Sequence, residues 1–152
     1  MIDKISRSIA HALSQVRDGS TVLIGGFGTV GVPDELIDGL IEQGARDTTV
    51  VNNNAVSCDT GQAALLAAWR VRKIICSFPR RLDSHVFDAL YRSGGIELKL
   101  APQGNPAERL RAASAGIGAF FCPTAYGTEL TAEGAERWAV VQRVAHEVQG
   151  PD

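Results

Sequence analysis

Residues 24–33 read Ile-Gly-Gly-Phe-Gly-Thr-Val-Gly-Val-Pro, and the interpretation of the whole chain depends on why this stretch is rich in glycine. Gly26, Gly28 and Gly31 have the G-x-G-x-x-G spacing of dinucleotide-binding loops. In those loops the glycines lie where a helix begins, so that the helix N–H groups meet a pyrophosphate. The first question is therefore whether a helix begins at these glycines.

The surrounding residues argue against a dinucleotide. Pro33 is typical of the first turn of a helix, so the glycines are expected to lie in the loop that precedes the helix. The next strand ends at Asn52, where a dinucleotide-binding domain would have an acid for the ribose. The phosphate-binding pattern G-x-x-x-x-G-K-[ST] is also missing from the sequence. The spacing therefore does not predict an NAD site.

Composition excludes several classes of protein. The chain has 152 residues, 45% of them hydrophobic and 21% charged, which is ordinary for one globular domain. A net charge of −2 gives no electrostatic reason to expect nucleic acid as a partner. No apolar run is long enough to cross a membrane, and the first residues do not form a secretory signal.

The cysteines indicate a reducing compartment. Cys58, Cys76 and Cys122 are an odd number and have no C-x-x-C spacing, which argues against a disulfide framework and a zinc site. Buried free thiols are typical of cytoplasmic proteins, so we expect a cytoplasmic location and no metal. A catalytic role for Cys58 stays open, because it follows a strand near the expected site.

Short β-rich runs alternate with helical patterns along the chain. Strands are predicted at residues 21–24, 48–51, 72–76, 96–100 and 119–122, and helices at residues 5–16, from 33 to 43, 61–69, 84–91 and 106–113. This alternation predicts crossover connections and one α/β domain over residues 1–152, with a mostly parallel sheet flanked by helices.

Finer features of the helices also follow from the pattern. Helical spacing predicts a buried face at Ile5, Ile9, Ala12, Leu13 and Val16, and a second at Leu36, Ile37, Leu40 and Ile41. Gly44 is expected to cap the second helix, and Ser84 the helix predicted at residues 84–91. Residues 133–148 place Trp138, Val141, Val144 and Val148 at helical spacing, which predicts a last helix.

The segments that follow the predicted strands have unusual compositions. They are rich in Gly, Pro, Asn and small polar residues, and they comprise residues 25–28, 52–55, 77–81, 102–106 and 123–128. In a parallel sheet these segments meet at one edge, where ligands bind. The sequence therefore predicts a site there, although ordinary turns use the same residues.

Several of these segments together resemble a known family. Residues 18–33 resemble the first signature of the family I CoA-transferases, with an acid-Gly start, three apolar residues, Gly-Gly-Phe, and a spaced glycine and proline. Residues 53–55, 102–112 and 116–128 resemble further segments of that family. The likeness extends to about residue 130, and the tail from residue 131, which in the family leads into further strands, diverges. Residues 71–73 and 76–80 make the chain most similar to the A-type (α) subunits that act on 3-oxoadipate.

The resemblance implies a fold, a reaction and a partner. It implies the CoA-transferase (NagB/RpiA-like) fold, and transfer of CoA from succinyl-CoA to a 3-oxoacid in aromatic catabolism, the β-ketoadipate pathway. In the family a glutamate of the B-type subunit, which is a separate chain, attacks the thioester and becomes a glutamyl-CoA thioester. That glutamate lies in a Ser-Glu-Asn-Gly stretch, which this chain lacks. We therefore expect no catalytic nucleophile here, no permanently bound cofactor, and a heterodimer or heterotetramer with a B-type subunit.

The resemblance also implies which residues approach the CoA thioester and the acids. They are Gly25, Gly26, Phe27, Gly28, Asn53, Asn54, Arg80, Gln103 and Gly104. The glycines would leave space and N–H donors for the ligand, and Gln103 would donate to a developing oxyanion. Arg80 could bind the remote carboxylate of 3-oxoadipate, and Phe27 would be either an interface wedge or part of the core.

Other interpretations remain open at this stage. Asp83, Ser84 and His85 superficially suggest a triad, but adjacent residues cannot adopt triad geometry and no G-x-S-x-G elbow is present. The A-type chains of the family are longer, so a natural shortening, a truncated gene and a divided chain are all possible. The alternative to an enzyme component is a shortened, non-catalytic binding or interaction module.

Overall fold

The computed structural model describes residues 5–54, 60–79, 84–131 and 140–143. Its helices are α1 (Ile9–Leu13), α2 (Asp34–Gln43), α3 (Gln62–Ala67), α4 (His85–Arg92) and α5 (Gly104–Ser114), with a 3-10 turn at Glu129–Thr131. Its strands are β1 (Thr21–Leu23), β2 (Thr48–Val51), β3 (Val71–Cys76), β4 (Glu97–Leu100), β5 (Ala119–Cys122) and β6 (Val140–Arg143). Within these ranges, every helix is too short or too polar to cross a bilayer.

Strands β1 to β4 form the parallel sheet predicted from the sequence. They lie in the order β1-β2-β3-β4, and each is joined to the next through a helix. One row of residues crosses the sheet, in which Val22 pairs with Val50, Val50 with Ile74, and Ile74 with Leu98. Val50 and Ile74, in the middle of this row, are almost completely buried, as expected for a parallel sheet that is covered by helices.

The core lies between this sheet and helices α2, α3 and α4, which pack side by side in chain order. Each helix contributes two large buried side chains, namely Ile37 and Leu40, Leu65 and Leu66, and Phe87 and Leu90. The ring of Phe87 also stacks on Tyr91, with ring centroids 5.7 Å apart. Burial of such side chains is the dominant stabilising contribution in a domain of this size.

The expected ends of the second helix are confirmed. Pro33 occupies the N-cap position, and Asp34 and Glu35 lie in the first turn, where the helix dipole favours acids. Gly44 caps the other end in the left-handed conformation, with φ of 89°. Ser84 likewise occupies the N-cap position of α4. The glycines of residues 24–33 therefore precede helix α2, which removes the geometry that a pyrophosphate needs.

The buried face predicted for the first helix is corrected, and that of the second helix is confirmed except at one residue. The first helix covers only Ile9–Leu13 and has no buried residue, because only Leu13 and Val16 of the predicted face pack against the core. Ile5 lies outside the helix and is exposed. On α2, the prediction is confirmed for Ile37 and Leu40, which are buried, and for Ile41, which packs against the core, whereas Leu36 is exposed. Apolar spacing alone did not distinguish the flank of the face from its centre.

The predicted fifth strand exists but does not extend the parallel sheet. Strand β5 pairs antiparallel with β6, so that Ala119 lies opposite Arg143 and Cys122 opposite Val140. The helix predicted over residues 133–148 is wrong for residues 140–143, which form β6. The rest of that prediction, including Trp138, Val144 and Val148, lies outside the described residues. The pairing of residues 140–143 with β5 therefore outweighed the weak helical preference of their sequence.

Helix α5 begins earlier than predicted. Gln103 is its N-cap residue and Gly104 its first helical residue, two positions before Pro106. Pro106 is tolerated there because N–H groups in the first turn have no partner within the helix. Consequently Gln103 and Gly104, two of the expected site residues, are held at the end of a regular element rather than in the middle of a loop.

Cys76 ends strand β3 beneath the loop-bearing edge of the sheet and is completely buried. Burial raises the pKa of its thiol from 9.0 to about 12, and this effect outweighs a backbone hydrogen bond from Phe78 that lowers it. Cys76 is therefore a neutral core residue, as the sequence suggested for buried thiols.

The raised pKa of Cys76 predicts a loss of stability in alkali. Above pH 9 the unfolded chain releases the thiol proton while the folded chain keeps it, so the free energy of unfolding falls as the pH rises toward 12. Between pH 8 and pH 10 the wild-type chain should lose about 1 kcal/mol more than Cys76→Ala, as measured by urea unfolding. Equal losses in the two proteins would contradict a buried neutral thiol.

Candidate functional site

The segments that follow β1 to β4 meet at one edge of the sheet. Beyond the strand ends, Asn54 still pairs with Phe78 in a parallel bridge, which keeps the segments after β2 and β3 side by side. The N–H of Ala101 donates to the carbonyl of Cys76 at 3.0 Å, which aligns the start of the segment after β4. The expected cluster of loop residues is therefore present at this edge.

A tight hairpin of residues 27–30 forms the outer part of the glycine-rich segment. The N–H of Phe27 donates to the carbonyl of Val30 at 2.9 Å, and the N–H of Val30 donates back at 3.1 Å. Gly28 occupies the first central position with φ of 65°, as two-residue hairpins of the II′ type require. Phe27 is 75% exposed, which excludes the core position that the sequence had left open for it.

Gly26 holds the base of this hairpin. Its φ is 124°, and a Cβ atom built on it would lie 2.8 Å from Cγ2 of Val32 and 3.2 Å from the backbone nitrogen of the same residue. A side chain at this position is therefore opposed both by backbone strain and by lack of space. The neighbouring Gly25 is different, because a Cβ atom there would meet nothing within 4 Å.

Buried asparagines connect the hairpin to the sheet. The side-chain nitrogen Nδ2 of Asn52 donates to the carbonyl of Ile24 at 2.6 Å, and its Oδ1 accepts from the N–H of Asn54 at 3.0 Å. Oδ1 of Asn54 in turn accepts from the N–H of Gly28 at 3.3 Å. The Gly28 N–H is thus engaged within the chain, whereas the sequence had suggested that it would be open to a ligand.

Ser77 connects the segments after β2, β3 and β4. Its hydroxyl oxygen lies 2.7 Å from the carbonyl oxygen of Asn53, 3.0 Å from Oδ1 of Asn53 and 2.6 Å from Oε1 of Gln103. A serine hydroxyl has one proton to share among these three acceptors. Oε1 of Gln103 faces Ser77, so the Nε2 donor is at the end of the exposed amide that points away from Ser77.

The segment after β5 reaches the same place, although β5 lies outside the parallel sheet. A Cβ atom built on Gly104 would lie 2.7 Å from the Oγ1 of Thr124, so only a glycine permits this close approach. Oγ1 of Thr124 also accepts a hydrogen bond from the thiol of Cys122 at 3.2 Å. The five segments are therefore linked one to the next, from Gly28 to Asn54, from Asn53 through Ser77 to Gln103, and from Gly104 to Thr124.

The described part of these loops is uncharged. Residues 24–33, 52–54, 77–79, 101–105 and 123–128 contain amides, hydroxyls and glycines but no Asp, Glu, Lys or Arg. Glu108 lies further along α5 and is paired with Arg111, with 2.6 Å between its Oε2 and the Arg111 Nε. The cluster can donate hydrogen bonds to oxygen atoms of a substrate, but it offers no carboxylate nucleophile.

Other candidates of the sequence analysis lie outside the described residues or away from this cluster. Arg80, Cys58 and Asp83 lie outside the described residues, so their positions relative to the site stay predictions. His85 is exposed at the start of α4. Within the part of the chain that is described, no group of three or more His, Cys, Asp or Glu side chains could hold a metal.

Sequence reasoning singled out Gln103, Asn53 and Asn54 as site residues, but not Ser77 and Asn52, which connect them. Ser77 had been noted only as part of a loop, and Asn52 only as a missing acid. Their position directly after buried strands was the available signal, because such residues face the site edge of a parallel sheet. Which of them bond to each other depends on the distances between loops, which the sequence does not contain.

The sequence matches the family model described as Coenzyme A transferase over residues 6–149. The chain belongs to the coenzyme A transferase family. This CoA-transferase chain is 62% identical over 136 residues to the A-type subunit of the 3-oxoadipate CoA-transferase of Pseudomonas putida, covering 90% of the chain and 58% of that relative. It is 58% identical over 134 residues to the protein of the same name from Acinetobacter baylyi, covering 88% of the chain and 58% of the relative.

A solved structure shares the fold of this CoA-transferase chain at lower identity. A variant of the decarboxylase AibA/AibB superposes with a TM-score of 0.70 at 21% identity, over 90% of this chain and 56% of the other. Such a likeness shows the fold alone, since one fold supports different reactions. The chain spans about 58% of the length of the curated relatives described above.

The different surroundings of Gly25 and Gly26 predict unequal effects of the same substitution. Gly26→Ala should lower the free energy of unfolding by about 1–3 kcal/mol, because it adds strain and a clash with Val32. Gly25→Ala should change it by no more than about 0.5 kcal/mol. Urea unfolding of both variants is the measurement. A similar loss in both would show that the hairpin base is not built as described.

Proposed function

We propose that this chain forms the A-type part of a 3-oxoacid CoA-transferase, which moves CoA from succinyl-CoA to 3-oxoadipate. The observation that carries the proposal is the uncharged donor cluster around Gln103. The names of the relatives from Pseudomonas putida and Acinetobacter baylyi support the reaction and the acceptor. A thioester reaction between two acids needs space, hydrogen-bond donors and a nucleophile, and this cluster supplies the first two.

The nucleophile in this proposal is a glutamate of a separate chain, the B-type subunit. Its carboxylate attacks the carbonyl of succinyl-CoA and releases the CoA thiolate, which leaves a mixed anhydride of the glutamate and succinate. The thiolate then attacks the glutamyl carbonyl of this anhydride. Succinate leaves, and a glutamyl-CoA thioester is formed. The carboxylate of 3-oxoadipate attacks this thioester, and the same two steps in reverse order transfer CoA to it and regenerate the glutamate.

Gln103 is the residue of this chain that we propose to act on the reacting carbonyl. Its Nε2 donates to the oxygen that becomes negatively charged in each tetrahedral intermediate. A neutral donor suits this reaction, since a cation at the same place would lower the nucleophilicity of the attacking carboxylate. Ser77 acts as a positioning residue, because its contact with Oε1 keeps the Nε2 end of the amide directed away from the protein.

The partners of the protein follow from this reaction. The B-type partner, in a heterodimer or heterotetramer with this chain, supplies the glutamate. Succinyl-CoA and the 3-oxoacid are substrates, and coenzyme A enters and leaves as a substrate thioester rather than as a permanently bound cofactor. The cytoplasmic location stays a prediction from the cysteine content.

Turnover by the chain together with a B-type subunit tests the proposal. Succinyl-CoA should be converted with 3-oxoadipate into 3-oxoadipyl-CoA, and mass spectrometry should find a trapped CoA adduct on the B-type chain. Gln103→Ala should lower kcat by about 10²- to 10³-fold, as for loss of an oxyanion donor. Gln15→Ala, on an exposed part of the chain, is the control.

Two outcomes would contradict this assignment. A CoA adduct on an acid of this chain alone would show that the nucleophile is not supplied by a partner. A chain that stays monomeric with every B-type subunit tested, without turnover, would favour the non-catalytic module instead.

Arg80 gives the proposed enzyme its preference for an acid with two carboxylates. We expect Arg80→Ala to reduce kcat/KM for 3-oxoadipate and to leave that for acetoacetate nearly unchanged, because only 3-oxoadipate has a second carboxylate to pair with a guanidinium. The ratio of the two kcat/KM values is the measurement. An unchanged ratio would show that Arg80 does not select the acceptor.

A further inference from the structure

Two large apolar side chains are exposed on the tight hairpin of residues 27–30. Phe27 is 75% exposed and Val30 is 77% exposed, although both backbone hydrogen bonds between these two residues are made. The two residues lie directly opposite each other in an antiparallel bridge, so their side chains leave the same face of the hairpin about 5 Å apart. The hairpin therefore presents one continuous apolar face.

A third exposed apolar side chain lies at the same edge of the sheet. Phe78 follows β3 and is 59% exposed, and its backbone is bridged to Asn54, whose Oδ1 accepts from the N–H of Gly28. Phe78 and the hairpin thus flank Asn54, on the β3 side and the β1 side. We call Phe27, Val30 and Phe78 together the apolar edge.

The hairpin part of the apolar edge has a fixed position relative to the sheet. At its base, Gly26 has no space for a side chain against Val32, and near its turn the N–H of Gly28 is held by Asn54. A surface that is already ordered loses little conformational entropy when a partner binds to it. The exposed Phe27 and Val30 are therefore presented in a form that is ready for binding.

The composition of the apolar edge favours a protein partner over a charged small molecule. Residues 24–33, 52–54 and 77–79 contain no Asp, Glu, Lys or Arg, and neutral polar residues such as Thr29 and Ser77 are the immediate neighbours of the apolar ones. Protein interfaces have cores that are poor in charge and rich in aromatic residues, surrounded by a polar rim. An apolar patch rimmed by polar residues marks such an interaction site.

We propose that the apolar edge is the docking surface for the B-type subunit. The inference rests on the proposed function, in which that subunit brings a glutamate to the carbonyl beside Gln103. Three strand spacings of about 4.8 Å separate β1 from β4, so the four strand ends lie within about 15 Å of one another. A standard protein interface covers about 800 Å² on each partner, which is a disc about 30 Å across. An interface centred on the strand ends therefore covers Gln103 and the apolar edge together.

The test measures pairing of the two chains without substrates. The probe is the B-type subunit of the 3-oxoadipate CoA-transferase of Pseudomonas putida, whose A-type subunit is 62% identical to this chain. Isothermal titration calorimetry gives the dissociation constant. Phe27→Ala should raise it by about 30-fold or more, as for truncation of a buried aromatic anchor at an interface. Phe27→Leu keeps much of the apolar area and should raise it by less than about tenfold.

Two controls distinguish loss of this contact from loss of structure. Trp69→Ala removes another large aromatic side chain, 66% exposed, which precedes β3 and so lies about 20 Å from Phe78 at the other end of that strand. It should leave the dissociation constant unchanged. Phe27→Ala should unfold at the same urea concentration as the wild-type chain, because an exposed side chain contributes little to the stability of the separate chain.

The remaining outcomes would each overturn the proposal in a recognisable way. If Phe27→Ala pairs as tightly as the wild type, the docking surface is wrong and the proposed function stands. In that case, weaker binding of succinyl-CoA by the assembled variant would assign the apolar edge to the thioester. A wild-type homodimer that Phe27→Ala dissociates would assign it to a second copy of this chain.

Failure of the proposed function has a different signature. If the wild-type chain pairs neither with this B-type subunit nor with the one from Acinetobacter baylyi, and no CoA transfer is detected with either, the proposed function and the docking surface are both contradicted.

Discussion

The hydrogen bond from Nδ2 of Asn52 to the carbonyl of Ile24, 2.6 Å long, is the contact from which the candidate site is built. It links the residues that directly follow β1 and β2, where the backbone hydrogen bonds between these two strands end. Oδ1 of the same side chain orders the backbone of Asn54, and the Asn54 side chain then holds Gly28. A buried amide satisfied at both ends is rigid, so the glycine-rich hairpin has a defined place relative to the sheet.

The second part of the site depends on the hydroxyl of Ser77, which joins the segments after β2 and β4. All of these connections are made by neutral groups, and this suits the chemistry that we propose. Carboxylates of a nucleophile, a donor acid and an acceptor acid would all enter the same place. Neutral N–H donors can stabilise the charge that develops on a carbonyl oxygen without binding any of these carboxylates too strongly. In the proposed enzyme the charged nucleophile comes from the B-type chain across an interface, so it is positioned only when both chains are present.

Much of the fold could be predicted from the sequence because it depends on local physical preferences. The β-branched runs of β2 and β3, Pro33 before α2 and Gly44 after it specify conformations that neighbouring residues alone can enforce. The placement of the glycines before α2 followed from the same reasoning and was enough to reject the dinucleotide interpretation. The boundaries of short elements were less accurate, since α1 covers only Ile9–Leu13 and α5 starts at Gly104. Their ends depend on packing rather than on propensity.

By itself, then, the sequence determined the α/β class and the order of the elements, since both are properties of residue type and spacing, and the role of Gln103 stays a prediction. Only the tertiary structure decided that β5 pairs with β6 instead of joining the parallel sheet, that Ser77 faces Gln103, and that Nε2 of Gln62 is buried with no hydrogen-bond partner among the described residues. These features arise from contacts between residues far apart in the chain. Such contacts depend on distances and burial that are established only when the helices pack on the sheet.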